Sequence, residues 1–311
     1  MADELLMSQL VTNAGLAHRL ATALHMKVND PTDIRAALSL KPWLSGMGTD
    51  TTKTTMIADN FTFANRTSEE AGGASNSAIG DASANVTPTR RLLQFQESTL
   101  WRMCAPAGGI TPEAVAGVID TATGRTITSL ACDLFNGFTG NTAVGSDAVD
   151  MSFELLEDAE FALSEALATG PLYAVLKPKA FNEFRRSLRT AGGAVQYMPA
   201  TAAAATASGV GEHGSWGPFK LYSVNEVNDD SGATYFENAV FAGGAIQYQF
   251  IPGAQIAAAI PSTVERVVAA DHVITLDYSQ ANGLVTMLGE MFLGVSELED
   301  ARGIEVRSKK A

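Results

Sequence analysis

Few residues in this sequence have the types and spacing that a catalytic or cofactor site needs. Residues 209–214 form a GxGxxG pattern, and Asp229 and Asp230 follow about twenty residues later, as in dinucleotide-binding sites. Such a loop must follow a strand and open a helix, whereas here Pro218 follows closely and the sequence continues as a strand. The pattern therefore predicts no cofactor. The chain also contains no Gly-Lys pair for a phosphate-binding loop.

Histidine, a common catalytic and metal-binding side chain, occurs at His18, His25, His213 and His272. These positions give no HExxH motif and no His–Cys cluster, so the sequence predicts no metal site. His213 lies near Ser215, but a nucleophile pair needs an orienting acid and a rigid frame, and the flanking glycines supply neither. The sequence therefore argues against an enzyme.

The composition limits the class of protein. The 311 residues exceed the usual size of one domain, so one large domain or two interlocked domains are expected. Apolar residues make up 46% and charged residues only 18%, which indicates a surface partly covered by self-association. The net charge of −13 argues against nonspecific binding to nucleic acid. This negative charge is compatible with a protein surface that must not bind DNA, and equally with an ordinary acidic soluble protein.

The cysteines and the N-terminal residues indicate the compartment. Cys104 and Cys132 are the only cysteines, which excludes a disulfide scaffold and favours a reducing compartment. Asp3 and Glu4 stand where a secretory signal needs positive charge, and no apolar run approaches the about 18 residues of a membrane span. We therefore expect a cytosolic protein without a membrane partner.

The first hundred residues are predicted to form an arm and a ribbon. The apolar spacing predicts a helix over residues 3–26 and a short helix over 34–40. Alternating apolar residues predict strands over 56–66 and 86–96, paired as a hairpin. An isolated ribbon is marginal in water, and Pro88 is excluded from a central strand, so the hairpin needs cover from another subunit. The alternative is a flexible insertion or lid.

The rest of the chain combines helices with a β-rich C-terminal half. A long helix is predicted after Thr111, in which Gly117 and Gly124 permit bending or close packing. An acidic helix near 152–167 precedes a short buried strand, and Pro178 then opens a basic helix. The two charged faces are solvated, pair within one molecule, or pair between copies. Strands are predicted in the segments FKLYSVNEV, TYFENAVFAGGAIQYQF, AQIAAAI, HVITLDYS, VTMLGEMFLGV and EDARGIEVRS.

This order of elements resembles the major capsid proteins of tailed bacteriophages, with the fold named after phage Hong Kong 97. The resemblance is carried by YAVLKPKAFNEFRRSLRTAGGAVQY, GSWGPFKLYSVNEV and ENAVFAGGAIQYQF, which start at Tyr173, Gly214 and Glu237. It implies an α+β fold in five parts. These are an N-terminal arm (1–50), an extended β-hairpin loop (51–98), a peripheral domain with a long spine helix (99–149), an axial domain with a mixed sheet and flanking helices (150–265), and C-terminal strands that complete the peripheral domain (266–311).

The resemblance also implies a structural function. Copies would assemble in the host cytoplasm, as hexamers and pentamers, into the icosahedral head shell of a virion that encloses double-stranded DNA without sequence-specific contact. A separate scaffolding protein and a portal would be partners, and binding of a decoration protein stays open. Some members crosslink a loop lysine to a neighbour, but no lysine lies between Lys53 and Lys177, so no covalent mesh is expected.

The candidate subunit contacts follow from the resemblance and the charge pattern. They are Phe61, Phe63, Glu69, Glu70, Arg90, Arg91, Arg185, Arg186 and Arg189. Two alternatives remain. One is a cellular nanocompartment shell of the same fold, and the other is a cytosolic hydrolase with the 56–96 hairpin as its lid.

Overall fold

A computed structural model describes residues 33–43, 52–57, 81–98, 112–168, 170–190, 198–199, 212–230, 232, 234–261, 264–279 and 284–310. The predicted helix over 3–26 and the candidate contacts Phe61, Phe63, Glu69 and Glu70 lie outside these residues.

Four helices and fifteen strands occur in the described residues. The helices are α1 (Pro112–Cys132), α2 (Phe153–Glu165), α3 (Pro178–Thr190) and α4 (Gly253–Ala259). The strands are β1 (Ser39–Leu40), β2 (Thr52–Ile57), β3 (Asp81–Val86), β4 (Thr89–Ser98), β5 (Val144–Gly145), β6 (Leu172–Leu176), β7 (Met198–Pro199), β8 (Glu212–Trp216), β9 (Phe219–Ser223), β10 (Tyr235–Ala242), β11 (Ile246–Phe250), β12 (Glu265–Val268), β13 (His272–Ser279), β14 (Leu284–Glu297) and β15 (Gly303–Lys309).

The strands form two mixed sheets and a ribbon. The seven-stranded sheet has the order β5-β15-β10-β6-β9-β8-β7, and the six-stranded sheet has the order β1-β11-β14-β13-β12, with β4 also paired to β14. β2 and β3 form the ribbon. β13 and β14 belong to the six-stranded sheet, whereas β15 joins β10 and β5 in the other one.

The predicted pairing of 86–96 with 56–66 is wrong for β4. The ribbon pairs Thr52 with Val86, and β4 instead pairs antiparallel with residues 284–293 of β14. The physical reason is the apolar face of β4. Leu93 and Phe95 pack with Ile119 of α1 and with Met287, so this strand finds its cover within its own chain.

One face of the seven-stranded sheet is covered by α2 and α3, as their amphipathic patterns predict. Ser152 caps α2 by accepting a hydrogen bond from the Leu155 N–H at 3.5 Å, and Pro178 begins α3. All five residues of β6, in the middle of the sheet, are buried. The core beneath the helices includes Leu156 and Phe184, so burial of these apolar faces stabilises the layered arrangement.

The other face of this sheet carries a second core that reaches both sheets. Phe241 of β10 packs there with Ile127 of α1 and with Ile246 and Leu293 of the six-stranded sheet. This shared core makes the two sheets one packing unit around α1, which begins at Pro112 as predicted.

Part of the predicted arm is buried in its own chain. Ile34 is fully buried, and its N–H donates to Thr128 Oγ1 at 3.3 Å. Gly124 permits this approach, because a Cβ there would lie 2.9 Å from Asp33 Oδ2. Residues 35–37 form a 3-10 turn in place of the predicted longer helix, and β1 then pairs parallel with β11.

The predicted strand in AQIAAAI is wrong, because these residues lie in α4 and its C-terminal end. Ile256 and Ala257 are buried beside Val273, on the inner face of the helix. Gly253 opens α4 against the turn between β12 and β13, where a Cβ would lie 2.2 Å from the Ala269 carbonyl oxygen. A short apolar run fits a strand or a buried helix equally well, so the local pattern alone could not exclude the helix that the structure shows.

Candidate subunit interface

The described residues contain no arrangement suited to catalysis by metal or thiol. No group of three or more His, Cys, Asp or Glu side chains among them could hold a metal ion. Burial, followed by the nearby Glu226 and Asp133, raises the pKa of the Cys132 thiol well above its usual value, so it is not a nucleophile at neutral pH. His272 is buried, with Nδ1 2.7 Å from Asp271 Oδ1.

The segment 212–216, at the end of the GxGxxG pattern, continues as a strand, as the sequence predicts. These residues form β8, which turns directly into β9, so the helix that would bind a phosphate does not follow. In the part of the chain that the structure describes, no helix combines the length and apolar character needed to cross a membrane.

Arg90 and Arg91 lie on opposite faces of β4. Arg90 Nε is 2.6 Å from Glu290 Oε1 on the neighbouring β14, so this candidate contact is already used within the chain. Arg91 lines a groove between α1 and the sheet, together with Ile119, Thr123 and Met291. The neighbouring Leu92 is exposed, which leaves an apolar side chain on the face that carries Arg90.

The remaining candidate contacts lie together on α3. Arg185, Arg186 and Arg189 follow helical spacing, and all three are exposed. We call them the basic stripe. The opposite face of α3 is buried through residues such as Phe184 and Leu188. No ion pair among the described residues includes Arg186 or Arg189, and both residues are exposed to solvent.

An acidic counterpart lies on α2. Glu154, Glu157, Asp158, Phe161 and Glu165 follow the same spacing on the solvent side, and we call them the acidic stripe. Phe161 is 65% exposed, although it lies among carboxylates. The sequence interpretation did not single out this residue. The signal was its position outside the apolar stripe that contains Leu156 and Leu163.

The acidic and basic stripes do not join the two helices within one chain. The Phe153 N–H donates to Ser187 Oγ at 3.2 Å, and the Met151 N–H donates to Glu183 Oε2 at 3.2 Å. In the described residues, no ion pair connects the acidic stripe to Arg186 or Arg189. Pairing within one molecule, one of the three expectations, therefore does not account for the charges of Arg186 and Arg189 in the part of the chain that the structure describes.

A carboxyl pair lies where the two sheets meet, at the end of β14. Backbone and side-chain hydrogen bonds from Gly140 and Thr139 lower the pKa of Asp300, although burial acts in the other direction. Burial and then repulsion from Asp300 raise the pKa of Glu297 from 4.5 to about 7. The folded chain therefore holds a proton on Glu297 more tightly than the unfolded chain does.

The raised pKa of Glu297 predicts that the stability of the folded chain depends on pH. The stabilisation that protonated Glu297 provides is complete below about pH 4.5 and is lost as the pH rises through about 7. Glu297→Gln, which imitates the protonated form, is expected to be more stable than the wild type at pH 8. The expected gain is of order 1–2 kcal/mol after allowance for solvent screening, and little is expected at pH 4.5. Urea unfolding at both pH values measures it, and an equal gain at both would contradict the assignment.

Comparisons with solved structures identify the fold. The encapsulin of the holo-SrpI complex from Synechococcus elongatus matches with a TM-score of 0.59 at 9% identity, over 88% of this chain and 85% of that one. The capsid of cyanophage P-SCSP1u matches with 0.55 at 12% identity, over 90% and 89%. The capsid of Ralstonia phage GP4 matches with 0.55 at 12% identity, over 91% and 92%. No protein-family model and no curated protein sequence matches.

These matches confirm the predicted fold class. The chain has the α+β fold of Hong Kong 97-type capsid proteins, and the match extends over nearly its whole length.

Proposed function

We propose that this chain is a structural protein, the major capsid protein of a tailed phage. Its copies close into an icosahedral head shell that encloses double-stranded DNA. The observation that carries the proposal is the agreement of fold over 90% of the chain or more with the capsids of cyanophage P-SCSP1u and Ralstonia phage GP4. The net charge of −13 agrees with a wall that does not adhere to its contents.

Shell formation on this fold is explained by many weak contacts. Each exposed charge pair contributes only about 0–1 kcal/mol, but contacts made to neighbours that are already held in place become effectively strong. Contacts between unlike surfaces generate closed rings, such as pentamers and hexamers. A separate scaffolding protein and a portal are the further partners of the proposal, with assembly in the host cytoplasm.

The test is the oligomeric state of the purified full-length chain. Size-exclusion chromatography and electron microscopy are expected to find capsomers or closed shells. A chain that remains monomeric at high concentration would overturn the proposal and would favour the hydrolase alternative.

A compartment shell of cellular origin is the second candidate, because the encapsulin structure matches with a TM-score of 0.59. The contents of native particles separate the two candidates. Nuclease-protected double-stranded DNA supports the capsid, and a protein cargo without DNA supports the compartment.

A further inference from the structure

We propose that the acidic stripe of one copy binds the basic stripe of a second copy, with Phe161 covered by arginine side chains. This inference rests on the proposed function and names a contact that holds neighbouring copies together.

The two stripes carry complementary charges. The ion pairs among the described residues include neither Glu157 nor Asp158 of the acidic stripe, and neither Arg186 nor Arg189 of the basic stripe. Both helices are held to the sheet by apolar faces and by hydrogen bonds such as that from Phe153 N–H to Ser187 Oγ. The stripes are therefore not needed to hold α2 and α3 in place, and they remain available to another molecule.

Phe161 gives the acidic stripe a reason to be covered. The carboxylates beside Phe161 do not stack on its ring, because the negative face of an aromatic ring repels them. Arginine suits both groups, since the guanidinium plane stacks on a ring and its N–H groups bind carboxylates in pairs. Within α3, the Arg185 guanidinium lies 6.0 Å from the centre of the Phe181 ring, which is an example of the same kind of contact.

The dimensions of the stripes agree with a contact centred on Phe161. At 1.5 Å per residue, the acidic stripe extends over about 16 Å and the basic stripe over about 6 Å. The three arginines of the basic stripe can therefore face the middle of the acidic stripe, which consists of Glu157, Asp158 and Phe161. Because the two surfaces differ, one contact leaves a free stripe on each copy, and repeated contacts extend the assembly.

Charge reversal and its compensation test the pairing. R186E/R189E and E157R/D158R are each expected to raise the protein concentration needed for assembly by at least about tenfold. The fourfold variant that carries both changes exchanges the signs and is expected to assemble near the wild-type concentration. D147R/D150R, which reverses two exposed carboxylates outside the stripes, is the control matched in net charge to E157R/D158R and is expected to assemble as the wild type does. Light scattering measures the threshold, and circular dichroism verifies folding.

The outcomes separate this inference from the proposed function. The proposed pairing is wrong if the wild type assembles and either charge reversal leaves the assembly threshold unchanged. It is also wrong if the fourfold variant stays as defective as the double variants. In both cases the proposed shell function is unaffected. If the wild type itself stays monomeric, the proposed function fails. The neutral variants R186Q/R189Q and E157Q/D158N provide a second reading. Their thresholds are expected to depend less on NaCl concentration than that of the wild type, and equal salt dependence would overturn the pairing.

Discussion

Phe241→Ala is expected to lower the free energy of unfolding by about 3–5 kcal/mol, the range for removal of a buried aromatic side chain. Phe241 is fully buried in β10. Its ring centre lies 6.1 Å from that of Phe135, 6.4 Å from that of Phe138 and 5.9 Å from that of Tyr173. Phe135 and Phe138 belong to one 3-10 turn and its C-terminal end, and Tyr173 lies on β6, so a single local movement does not fill the cavity.

Urea unfolding of the unassembled full-length chain measures this loss. Phe161→Ala is the matched control, because the same truncation at a largely exposed ring is expected to change stability by less than about 0.5 kcal/mol. Phe241→Leu retains much of the buried volume and is expected to lose roughly 1–2 kcal/mol. Equal losses for Phe241→Ala and Phe161→Ala would mean that the cluster is not the common core of the two sheets.

The elements that were predicted correctly are those whose signals are local. Ser152 is followed by an apolar helical stripe, and Pro178 stands in the first turn of α3, where its missing N–H breaks no helical hydrogen bond. The five apolar residues of β6 match a strand buried on both faces. In each case the neighbouring residues along the chain contain the information.

The errors concern information that is distant in the sequence. Alternation in β4 predicts a strand but not its partner, and residues 284–293 lie nearly two hundred positions away. The helix α4 packs through Ile256 and Ala257 against Val273 of β13, a contact that the local sequence does not reveal. Ile34 is buried by α1 and not by a second copy, because Gly124 makes room for the chain beside it.

The candidate interface divides in the same way. Helical spacing alone grouped Arg185, Arg186 and Arg189, and the structure finds them on one exposed face. Arg90 was predicted from charge alone, but its salt bridge to Glu290 depends on strand register. Phe161 could have been found from its position outside the apolar stripe of α2, and its exposure in the structure singles it out.

Asn238→Leu is expected to lower the free energy of unfolding by about 2–4 kcal/mol, because it leaves several buried polar groups without partners. Asn238 is fully buried in β10. Its Oδ1 accepts a hydrogen bond from the Lys177 N–H at 2.8 Å, and its Nδ2 donates to the Val306 carbonyl at 3.1 Å and to Ser308 Oγ at 2.9 Å. One amide group thus connects β10 to β15 and to the turn between β6 and α3.

The same unfolding experiment separates this network from simple loss of a polar residue. Asn228→Leu is the control, since Asn228 makes an exposed hydrogen bond to Asp133, and it is expected to cost less than about 1 kcal/mol. Hydrogen exchange gives a local reading, in which the Lys177 amide proton of Asn238→Leu exchanges faster than in the wild type. Leucine has a similar volume to asparagine. If Asn238→Leu left both stability and this exchange rate unchanged, packing alone would hold α3, and with it the basic stripe, in position on the sheet.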